Sequence, residues 1–183
     1  MTKLNSMSSE KRWYTVSIYT ENNVGLLNRI SAIFQRRHIN IESINTSISE
    51  IEGVSRWTIV VQMSEAQIQK VIGQIEKQVD VIRAYYHTDE ETIYQECCLF
   101  KIQSDLFFED AKIQKIIATS NVRIVAVERE FFVLEKAGKR TEIESLYKQL
   151  KPFGIMQFVR SARIAITKEA LNISPLLTTL QEQ

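Results

Sequence analysis

Tyr14 to Val61 reads YTVSIYTENNVGLLNRISAIFQRRHINIESINTSISEIEGVSRWTIVV, and its changes of hydrophobic period decide the fold. An apolar extended run from Trp13 to Tyr19 meets a polar turn, Thr20-Glu21-Asn22-Asn23, after which Leu26, Leu27, Ile30, Ile33 and Phe34 recur at helical spacing. Ile39 to Ile48 is strand-like, with Ile39 and Ile41 on one side. Ile44, Thr46 and Ile48 then change parity, which predicts a bulge or bend near Glu42-Ser43. Beyond a turn at Glu50-Ile51-Glu52-Gly53, Val54 to Met63 alternates again, with Trp57, Ile59 and Val61 sharing a face.

Working outward, Ser64 and Gln67 have the spacing of a capping box ahead of Ile68, Val71, Ile72 and Ile75, and Val79 to His87 reads as a fourth strand. The order strand, helix, strand, strand, helix, strand over 13–88 is a ferredoxin-like unit. Both helices cover one sheet face and leave the other to find cover elsewhere. Thr88 to Thr92, with three acids in a row, is the linker. The pattern then recurs over 95–166: a strand at Glu96 to Gln103, a helix over Phe107 to Ala118, and strands at Val122 to Val127 and Phe131 to Glu135. Gly138 closes that strand pair, Thr141 and Glu144 have capping-box spacing before a second helix, and a last strand runs from Ile155 to Ile166. The class is α+β with two βαββαβ units. In the tail, 167–183, Leu171, Ile173, Leu176, Leu177 and Leu180 would make a docking helix interrupted by Pro175.

The 183 residues are 44% hydrophobic, and 23 Lys plus Arg nearly balance 22 Asp plus Glu, so charge nominates no nucleic-acid or anionic-lipid partner. Met1 to Arg12 lacks a signal-like apolar stretch and no run approaches the roughly 18 apolar residues of a membrane span, so a soluble cytoplasmic protein is expected. The two cysteines, Cys97 and Cys98, are adjacent in an extended segment and face opposite ways, which predicts reduced, packed thiols rather than a disulfide or a zinc site.

The segment Glu21-Asn22-Asn23-Val24-Gly25-Leu26-Leu27 joins the first strand to the first helix. A helix N-terminus offers unpaired N–H groups and partial positive charge to a carboxylate, Gly25 permits close approach, and the Asn22 amide can address either end of a zwitterion. Asn-Asn before a helix is equally ordinary capping chemistry, and Asn40 equally an ordinary turn residue.

The Tyr14–Val61 stretch, with its N-x-x-G-L-L-x-R-I loop and helix start, R-x-x-N-I-E-S run and S-R-W-T-I strand, resembles the N-terminal ACT domain of acetolactate synthase small subunits. IEKQVDVIRAYYH and the E-C-C-L-F-K-I strand are similar to that family's junction and C-terminal domain. The resemblance implies a non-catalytic regulatory subunit that raises the activity of a large catalytic subunit and confers feedback inhibition by valine or another branched-chain amino acid. It further implies an ACT homodimer in which Asn22, Val24, Gly25, Leu26 and Leu27 of one protomer face Asn40 and Ile41 of the other. Thiamine diphosphate, FAD and magnesium are expected in the large subunit and no cofactor in this chain. Two departures stand out: His38 where the family commonly has glycine, and Arg160-Ser161-Ala162 in place of a late R-[ST]-G pattern. His38 would need a left-handed cap conformation. Three other readings compete: an enzyme using Arg36, Arg37 and His38, an RNA-binding sheet using Trp57, and a free-standing amino-acid sensor for a different enzyme.

Overall fold

Alternation along the first strand sets the architecture of the first unit. β1 (Arg12–Glu21) turns Tyr14, Val16 and Ile18 to one side, where they meet Leu26, Ile30, Ile33 and Phe34 of α1 (Leu26–Gln35). β2 (Ile41–Ile48) and β3 (Val54–Met63) follow, then α2 (Glu65–Ile75) and β4 (Val81–Thr88), and the antiparallel sheet has the order β2-β3-β1-β4. α2 adds Ile68, Val71, Ile72 and Ile75 to the same core, so both helices cover one face. The structure, a computed structural model, describes residues 10–170 and 173–181, without the side chains of 107–109, 176, 178, 180 and 181.

Several local expectations are met for the reasons given. The register between β2 and β3 shifts between Ile41 and Ser43, where the parity changed. α2 opens with the Ser64–Gln67 capping box, the Ser64 N–H donating to Gln67 Oε1 at 3.0 Å. His38 adopts φ 53°, a left-handed conformation that costs a Cβ-bearing residue on the order of 1 kcal/mol. Trp57 is 6% exposed and its indole N–H donates to Thr20 Oγ1 at 3.0 Å, so it is a core residue and offers no platform for base stacking.

The second unit repeats the path. β5 (Thr92–Gln103), α3 (Ser104–Glu109), α4 (Ala111–Thr119), β6 (Arg123–Val127), β7 (Phe131–Gly138), α5 (Arg140–Leu150) and β8 (Ile155–Arg160) give the order β6-β7-β5-β8, the same topology with its own core around Phe100, Phe132, Leu134 and Ile143. Three details differ from expectation. The helix anticipated over Phe107 to Ala118 is two helices, broken at Asp110, whose extended backbone lets its carboxylate accept the Lys112 N–H at 2.8 Å. α5 begins at Arg140 with no side-chain cap, so Thr141 lies inside the helix and Glu144 pairs with Arg140 instead of closing a capping box. The last strand is interrupted: β8 ends at Arg160, and β9 (Ile164–Thr167) starts anew after Ser161 engages the Cys97 backbone through both its hydroxyl and its N–H.

In space the chain groups into two compact units, Met1–Tyr94 with Arg163–Gln183, and Gln95–Ala162, so β9 packs with the first unit. Arg163 is buried there; its Nη1 donates to Thr15 Oγ1 at 2.9 Å and to Asp89 Oδ1 at 2.6 Å, and its guanidinium lies 3.7 Å from the Tyr94 ring centroid. α6 (Ile173–Gln181) accommodates Pro175 in its first turn, where no backbone donor is needed. Leu177 is fully buried against Tyr19 and Val54, with Ile173 beside it, so part of the sheet face left open by α1 and α2 is covered by the chain's own end. Leu171 lies outside the described residues.

Candidate functional site

The loop between β1 and α1 is held by its neighbours rather than by the helix it precedes. The Glu21 N–H donates to the Asp80 carbonyl at 2.9 Å, and the Asn22 N–H to the Gly53 carbonyl at 3.1 Å. Asn22 Oδ1 accepts from the Ser55 hydroxyl at 3.2 Å. Asn23 Nδ2 donates to Glu21 Oε2 at 3.0 Å and to Asp80 Oδ1 at 2.8 Å, and Arg29 closes an ion pair with Asp80 at 2.5 Å. The Asn23 amide, followed by Arg29, holds the Asp80 carboxyl below the usual aspartate range. Arg29, Ser55 and Asp80 were not among the candidate site residues read from the sequence, and Asn23 was read there only as turn or capping chemistry. Asp80 stands just before β4, and only the sheet order places it beside the loop.

The consequence is an open helix start. Gly25 is the N-cap, at φ 83°, with no side-chain cap hydrogen bond, and the first turn carries no acid. Neither asparagine is spent on capping, so the N-terminal N–H groups of α1 keep their capacity for an anion. A Cβ on Gly25 would meet nothing within 4 Å; the glycine is required by its backbone angle, and the space beyond it is free. Because Asn22 uses Oδ1 on Ser55, its Nδ2–H donors remain without a partner among the described residues.

The remaining candidates separate into two places. Val24 is fully exposed and Leu27 half-exposed at the loop, an apolar pair facing outward. Leu26 is buried in the core, so its contribution to any ligand is its N–H. Asn40 and Ile41 lie at the other end of the sheet: Glu21 pairs with Val54 on β3, whereas Ile41 pairs with Val61, roughly 23 Å away at about 3.3 Å per strand residue. One copy therefore does not bring Asn22–Leu27 and Asn40–Ile41 together. Asn40 lines a separate polar depression with Lys11, Arg37, His38 and Glu42. β2 is an edge strand, its outer backbone groups unpaired within the sheet, and Ile44 and Ile48 along it are 36% and 74% exposed.

Among the described residues no three His, Cys, Asp or Glu side chains gather as metal ligands, and no helix is long and apolar enough to cross a membrane. Both cysteines are free thiols, and burial pushes the Cys98 thiol up to about 11.

Residues 95–169 match the family model described as the small subunit of acetolactate synthase, and residues 16–83 match the AHAS small subunit-like ACT domain. The acetolactate synthase small subunit of Bacillus subtilis is 34% identical over 159 residues, covering 86% of this chain and 91% of that protein. The one from Mycobacterium bovis is 31% identical over 157 residues, covering 85% and 92%. The crystal structure of the Thermotoga maritima small subunit superposes with a TM-score of 0.78 at 25% identity, covering 87% of this chain and 99% of that one.

Proposed function

This chain belongs to the acetolactate synthase small-subunit family, and from that premise we propose that it activates a separate catalytic subunit and makes it sensitive to valine or a related branched-chain amino acid. Thiamine diphosphate, FAD and magnesium are assigned to the catalytic subunit. The observation that carries the sensing role is the uncapped start of α1 beside the unspent Asn22 amide donors.

The effector's carboxylate lies against the N–H groups of Gly25, Leu26 and Leu27, and Asn22 donates to it. The site is completed by a second copy. With the loop and the Asn40–Ile41 corner at opposite ends of one sheet, edge-to-edge pairing of β2 with a partner's β2 sets one copy's loop against the other's corner. Pairing also covers Val24, Ile44 and Ile48, which a lone copy leaves in water. Burying a valine side chain contributes roughly 1.5–3 kcal/mol and the helix terminus up to about 2. Amide hydrogen bonds bring the sum to about −5 to −7 kcal/mol, in the micromolar-to-millimolar range suited to feedback. Inhibition follows by linkage: effector binding favours one arrangement of the paired sheets, and the catalytic subunit prefers another.

Reconstitution with purified catalytic subunit tests this. The chain is expected to raise the catalytic rate and to impart valine sensitivity, and Asn22→Ala to weaken inhibition about tenfold while leaving activation intact, the scale of one charge-assisted hydrogen bond. An unchanged rate and no valine response would reject the assignment; loss of both activation and inhibition in Asn22→Ala alone would place Asn22 in the scaffold instead.

A further inference from the structure

A cavity of about 390 Å³ lies on the sheet face of the first unit opposite α1 and α2, within the roughly 300–1,000 Å³ usual for small-ligand pockets. Its floor is Ser17, Tyr19, Arg56 and Tyr85, and its roof Ala165 to Thr167 with Glu169, Ile173 and Ser174 of the C-terminal segment. It is distinct from the β1–α1 loop, since none of Asn22 to Leu27 lines it.

Arg56 gives the cavity its chemistry. Its Nη2 donates to the Ala165 carbonyl and its guanidinium stands 5.7 Å from the Tyr19 ring centroid, but its Nε–H is buried without an acceptor. Arg29, Arg123, Arg160 and Arg163 each have a carboxylate within ion-pair distance. Arg56 has none among the described residues. The acid nearest at hand, Glu50, instead accepts from the Ser174 hydroxyl at 2.7 Å. The Ser174 hydrogen bond, with Arg56 near enough to help, holds the Glu50 carboxyl below the usual range, yet Glu50 and Arg56 are not in ion-pair contact. A half-buried guanidinium with an unfilled Nε–H donor is costly to keep unless something supplies the missing acceptor.

We propose that this cavity binds a small monocarboxylate with an apolar body, its carboxylate taken by the Arg56 guanidinium and its body packed against Tyr19, Tyr85 and Ile173. Glu50 and Glu169, both exposed on the lining, disfavour a second negative charge and so select against dicarboxylates and phosphates. Because floor and roof come from segments far apart in the chain, an occupant ties the C-terminal segment to the sheet.

The test is titration calorimetry on the full chain with 3-methylbutanoate, its neutral amide and methylsuccinate, together with amide hydrogen exchange. The β1–α1 loop would also take a carboxylate, so the variants Asn22→Ala and Arg56→Gln and the position of the exchange protection distinguish binding in this cavity from binding there. The carboxylate is expected to bind saturably, the amide and the dicarboxylate at least about tenfold more weakly, as for loss of a charge-assisted pair. Exchange between 165 and 174 should slow only with the carboxylate. Arg56→Gln should abolish the binding, Arg56→Lys weaken it while keeping the cation, and Asn22→Ala leave it unchanged. Equal binding of acid and amide, no saturable heat with the wild-type chain, or binding lost in Asn22→Ala but kept in Arg56→Gln would each overturn the proposal. If Arg56→Gln fails to fold, Arg56→Lys and the exchange protection in Asn22→Ala decide the matter: carboxylate binding lost in Asn22→Ala, or protection absent from the C-terminal segment, overturns the proposal.

Discussion

His38 shows how a single backbone angle carries information. It follows α1 at φ 53°, where glycine sits without penalty, and its side chain is exposed. His38→Gly is therefore expected to stabilise the chain, by about 1 kcal/mol from relieved strain less part of the extra unfolded-state entropy of glycine, read as a raised denaturation midpoint. A lowered midpoint would mean that the imidazole makes a contact of its own. Gly25 poses the opposite case, since its φ of 83° is one that side chains rarely adopt. The glycine stood out in the sequence as a residue the loop before α1 needs. The partners of Asn22 and Asn23 did not, because Ser55 and Asp80 are 33 and 57 residues away and nothing in the local pattern points to them.

Among the elements, β2 is the one whose chemistry is unfinished. Its register shift after Ile41 puts Ile44 opposite Ile59 and Ile48 opposite Ser55, on the helix side of the sheet but at its open edge. An edge with exposed isoleucines and no inward charge is a pairing surface. The double substitution Ile44→Lys and Ile48→Lys should leave thermal stability of the isolated chain within about 1 kcal/mol, since both positions are already exposed. It should shift sedimentation equilibrium toward monomer and weaken valine binding in step. A dimer of undiminished affinity would place the seam elsewhere. The shift itself was readable from parity, whereas the break in the second unit's first helix was not: Asp110 interrupts an otherwise continuous apolar period with a local carboxylate cap.

At the scale of the molecule, the unexpected element is the C-terminal segment, which returns to the first unit. Leu177 is fully buried against Tyr19 and Val54, and Arg163 pins the start of the segment to Thr15 and Asp89. Leu177→Ala is expected to cost about 2–5 kcal/mol, the range for a buried leucine, measured by denaturant unfolding of the full chain. A cost near zero would show that α6 does not dock. From the sequence alone came the two βαββαβ units, the core faces, the α2 cap, the β2 bulge and the loop at Asn22–Leu27. All of these follow from side-chain periodicity and local backbone chemistry, which act over a few residues. Only the tertiary structure decided that Asp80 braces the loop, that Asn40 stands a sheet's length away from it, that the strand after Arg160 breaks, and that Arg56 faces a cavity. Those outcomes depend on strand order and on contacts between residues distant in the chain, which no local period encodes.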